Sequence, residues 1–72
     1  MTDQFETFDK VILAREDAER KAWDALGRYK FYMFGYWSAA WVKYNALMPK
    51  DRKMANPFTT LVKAARDHQE AL

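Results

Sequence analysis

Residues Phe31–Val42 read FYMFGYWSAAWV. Twelve residues pass without a charge, and six of them are aromatic. Whatever element this segment forms shows apolar side chains on every side, so one flat neighbour cannot cover it. A chain of 72 residues has few other elements to offer. Either the rest of the chain wraps the segment or a second chain does. That argues for packing and association before it argues for catalysis.

Length limits the chain to one domain, 1–72. A domain this small needs a staple, a metal, a partner subunit or very good helix packing. Cysteine is absent, which removes disulfides and thiolate metal sites. The high aromatic fraction of 17% is the compensation, because each aromatic ring buries a large area. With 50% hydrophobic and 31% charged residues, the composition is that of a folded chain.

Charge is uneven along the sequence. Residues 1–26 hold seven acids against four bases, and residues 27–72 hold eight bases against three acids. The first ten residues are polar and acidic, with no apolar segment of the signal-peptide kind. The uncharged run of twelve is short of the roughly 20 residues a spanning helix needs. A cytoplasmic protein without a membrane partner is expected.

From Asp3 to Met48 there is no proline. Asp3 with Glu6 resembles a capping box, with Thr2 as the alternative cap. One apolar row steps by threes and fours through Phe8, Val11, Ala18, Ala22, Ala25, Tyr29, Tyr32, Tyr36 and Ala39, with a gap near Arg15. A second runs through Trp23, Leu26, Met33, Trp37, Ala40, Tyr44 and Leu47. Both keep phase across Gly27, which predicts one helix over about 3–47. A kink or break at Gly27 is the alternative, since glycine weakens a helix interior.

Pro49 ends this helix and opens a basic linker over 48–56. Asn56-Pro57 then provides a favoured N-cap and first helical residue. A second helix is predicted over about 57–70, with Phe58, Leu61, Val62, Ala65 and Leu72 on its apolar face. The fold class is all-α: a long helix, a basic turn and a shorter antiparallel helix. The short helix is expected to fold back on the aromatic segment as a helical hairpin or three-helix bundle. Its length reaches only half of the long helix, so dimerisation is expected to complete the structure.

No catalytic constellation is evident. His68 stands alone near the last helix end, where it suits the helix dipole. Neither a paired histidine nor HExxH occurs, so no metal or cofactor is expected. Glu16→Arg20 and Asp17→Lys21 have the spacing of solvated ion pairs. Ser38 lacks any nucleophile motif. Gly35 and Ala39 form a small-xxx-small pair, a natural crossing point for a second helix. Tyr36, Trp37, Trp41, Tyr44 and Phe58 are the candidate core or interface residues, because aromatic rings dominate both. The alternative is a nucleic-acid surface made of Lys43, Lys50, Arg52, Lys53, Lys63 and Arg66. Asp51 interrupts that run.

The blocks WDALGRYKFYMFGYWSAAWVKYN (Trp23–Asn45) and NPFTTLVKAAR (Asn56–Arg66) cover about half the chain. They resemble, in style, the small all-helical proteins of phages and prophages. No catalytic motif defines that group, so no residue role carries over. The resemblance implies a non-enzymatic accessory protein that binds and modulates a host or phage protein, including the anti-CRISPR kind, or a small assembly factor. The expected partners are itself, an unidentified protein and, in the alternative, a nucleic acid.

Overall fold

The structure is a computed structural model that describes the backbone of residues 2–71 and the side chains of residues 8–71. The expected capping box at Asp3 and Glu6, its alternative cap Thr2, and the placement of Leu72 fall outside those described side chains. The described residues are all-helical: α1 (Thr2–Gly27), α2 (Phe31–Ala46), a short 3-10 turn (Lys50–Arg52) and α3 (Thr59–Ala71).

The stretch expected as one helix over 3–47 is two, which is the alternative of a break at Gly27. α1 and α2 fold back on each other as a helical hairpin. The break lies just beyond Gly27, and Gly27 does not make the reversal. Lys30 N–H donates to Ala25 C=O at 2.8 Å, and Tyr29 N–H donates to Leu26 C=O at 3.0 Å. That pairing is a Schellman stop, with its left-handed residue at Tyr29, φ 62°. Three residues between helices are enough for an antiparallel pair.

The hairpin corrects the expected pairing. α1's apolar row does not wait for another molecule, because Ala18, Ala22 and Ala25 are buried within the chain. Opposite them, α2 places Phe34, Trp37, Trp41 and Tyr44 around the core. Alanines on one helix let the large rings of the other lie close, a small-against-large match.

α2 ends where Pro49 requires it. Its last turn tightens, with Leu47 N–H on Tyr44 C=O and Met48 N–H on Asn45 C=O. Asn56 caps the start of α3 as its identity predicts, its Oδ1 accepting the Phe58 N–H at 2.8 Å. Regular α-helix begins at Thr59, two residues later than expected. Phe58, just ahead of α3, enters the core, and Leu61 in the first turn of α3 packs partly against it. The short helix was expected to lie along the aromatic segment. Instead, its remaining turns are exposed on all sides.

Candidate functional site

Phe58 is the wedge that joins the three helices. Its ring centroid lies 5.0 Å from Trp23 on α1, and 5.4 and 6.4 Å from Phe34 and Trp41 on α2. The contacts are tilted or edge-on, as ring quadrupoles prefer. Trp23 stays at the core margin, with its Nε1–H donating to Glu19 at 3.1 Å. Trp37 is half-buried, and Lys21 Nζ stands 4.4 Å from its ring centroid. The same Lys21 pairs with Asp17, which also holds Arg20. Arg20 thus faces Asp17, one turn back, and not the expected Glu16. Two cationic partners, Lys21 first and Arg20 second, lower the Asp17 pKa below the ordinary carboxylate value.

Sequence reasoning missed a polar hub that fixes the linker. Arg15 is 4% exposed, the one charged residue among the buried residues described. Its Nη1 donates to Asn45 Oδ1 at 2.8 Å and to Arg52 C=O at 2.9 Å. Asn45 also accepts the Met54 N–H at 2.9 Å and donates to Met54 C=O at 3.0 Å. One asparagine therefore ties α1, α2 and the linker together. The signal was present: Arg15 falls where the α1 apolar row seemed to skip a step.

The remaining candidates divide by helix face. Trp41 and Phe58 are buried, and Trp37 and Tyr44 are half-buried beside them. Gly35, Tyr36 and Ala39 point the other way and are exposed. No helix of the described residues crosses at Gly35 and Ala39, and a Cβ built on Gly35 would meet nothing within 4 Å. This pair is not the intramolecular crossing point.

The outer face of α2 is apolar except for Lys43. Tyr32 is 86% exposed and Tyr36 59%, with Gly35, Ala39 and Val42 beside them. An open groove of about 360 Å³ separates this face from α3, lined by Phe34, Ala39, Val42, Leu61, Val62 and Ala65 among others. A second hollow, about 320 Å³, lies on the other side of Ala39 beside Tyr36, Lys43 and Tyr44.

The six basic candidates are spread over α2, the linker and α3. Lys63 pairs with Asp67 at 3.0 Å, and Arg52 stands 3.9 Å from Asp9. Ser38 donates to Gly35 C=O at 3.2 Å, a local helix bond. No three His, Asp or Glu side chains among the described residues are grouped as metal ligands. No helix of the described residues is long and apolar enough to cross a membrane. No protein-family model, curated protein or solved structure matches the chain.

Proposed function

We propose that this protein is a small, non-enzymatic helical interaction module that self-associates and works by protein–protein contact. The role fits an accessory or modulator of the phage and prophage style, anti-CRISPR-like or an assembly factor, acting in the cytoplasm. One observation carries the reading. The chain exposes 5903 Å², whereas a compact monomer of 8.6 kDa exposes about 4,700 Å². Its radius of gyration is 14.5 Å against about 11 Å for a compact chain of this length. Phe31, Tyr32, Tyr36 and Val42 of α2 remain 49–86% exposed, apolar surface that another polypeptide would take out of water.

Light scattering over micromolar concentrations tests the reading. A mass of two or more chains is expected, and a monomer throughout overturns it. A nucleic-acid role through Lys43, Lys50, Lys53 and Arg66 has weaker support, because Arg52 and Lys63 each face a carboxylate. It requires retardation of an oligonucleotide at low salt that fades steeply as salt rises.

A further inference from the structure

A helix that faces water normally shows polar residues there. α2 does not. Since Phe34, Trp37, Trp41 and Tyr44 turn toward the core, the 3.6-residue period sets Tyr32, Gly35, Tyr36, Ala39, Val42 and Lys43 on the opposite side. All six are exposed, and Lys43 is the single charge among them.

We propose that this face is the contact between two copies of the chain, with their α2 helices antiparallel and crossing at Ala39. This inference rests on the self-association proposed above and names the surface that performs it.

Shape and charge support the assignment. Gly35 has open space around it, so a second backbone can approach closely. Ala39 forms the ridge between the two hollows. Tyr36, 59% exposed beside that ridge, is placed to enter the hollow next to the partner's Ala39. A parallel pair would bring two Lys43 ammoniums together. An antiparallel pair centred on Ala39 sets each Lys43 opposite the partner's Gly35, between the partner's Tyr32 and Tyr36. The chain already uses that chemistry internally, where Lys21 stands over Trp37.

Cysteine is absent, so single introduced cysteines report cleanly. Three variants are compared under mild oxidation: Ala39→Cys, Lys43→Cys and Leu13→Cys, the last on an exposed α1 position. A disulfide requires Cα atoms within about 7 Å. Ala39→Cys is expected to form covalent dimer at least about ten-fold faster than the other two. Self-linking of Lys43→Cys as fast as Ala39→Cys overturns the antiparallel arrangement. Ala39→Cys linking no faster than Leu13→Cys overturns the face itself. In parallel, Ala39→Arg is expected to weaken the dimer about 100-fold with helical content unchanged. A wild-type chain that is monomeric at tens of micromolar defeats the self-association reading and this inference together. A wild-type dimer that Ala39→Arg leaves intact defeats this inference alone.

Discussion

Removing the Phe58 ring tests the hairpin-and-wedge architecture most severely. Phe58 is 5% exposed and touches one aromatic ring of α1 and two of α2. Truncating a buried phenylalanine to alanine costs about 3–5 kcal/mol, the transfer term plus the cavity that stays open. A 72-residue chain has a total stability of about 4–11 kcal/mol. Phe58→Ala therefore removes a large share of what holds the fold. With a urea slope of about 1–2 kcal/mol/M, the unfolding midpoint should fall by about 2 M or more. Near-UV circular dichroism should weaken at the same time, because Trp23 and Trp41 lose a neighbour that fixes their rings. Leu61→Ala, at a half-buried position one turn along, should shift the midpoint by less than half as much. A Phe58→Ala midpoint within about 0.5 M of wild type, with the aromatic signal intact, would refute the wedge.

Asn45→Ala should cost about 2–3 kcal/mol in the same denaturation assay, since it leaves the buried Arg15 and the Met54 backbone short of partners. Tyr29→Gly should raise stability by about 1 kcal/mol, because Tyr29 is 81% exposed and holds a left-handed conformation that suits glycine. A loss of stability there would mean that its ring matters more than its backbone strain. Asp17 is stabilised as a carboxylate in the folded chain, so its contribution is complete above the ordinary carboxylate pKa and disappears as pH falls through the lower folded value. The melting temperatures of wild type and Asp17→Asn should therefore differ modestly at neutral pH and converge in acid. A gap that widens on acidification contradicts the sign.

Helicity, the linker and the Asn56 cap were legible because each depends on local chemistry. Proline stops a helix and asparagine starts one, whatever the rest of the chain does. A break near Gly27 was legible as the alternative to one long helix, but the geometry of the turn was not. Its left-handed residue is a tyrosine, and the nearby glycine sits at the last helical position, two residues early. Periodicity misled for a related reason. The row through Ala18, Ala22, Tyr32, Tyr36 and Ala39 keeps phase, yet its α1 part is buried and its α2 part faces water. Three turn residues reset which side is inward without disturbing the spacing. Among the candidates, sequence marked the aromatic rings but could not sort Trp41 and Phe58, which fill the core, from Tyr36, which does not. Arg15 was passed over because a charge at an apolar register position reads as an interruption. Only the Asn45 side chain and the Arg52 carbonyl, 30 and 37 residues away, explain its burial.

Tyrosine nitration mapped by mass spectrometry probes the central claim directly. Tyr29, Tyr32 and Tyr36 are 81%, 86% and 59% exposed in the single chain, and Tyr29 lies at the turn, off the outer face of α2. At tens of micromolar protein, Tyr32 and Tyr36 should be protected relative to Tyr29, and dilution should restore their reactivity. Equal modification of all three at every concentration would mean that the aromatic face of α2 stands uncovered in solution.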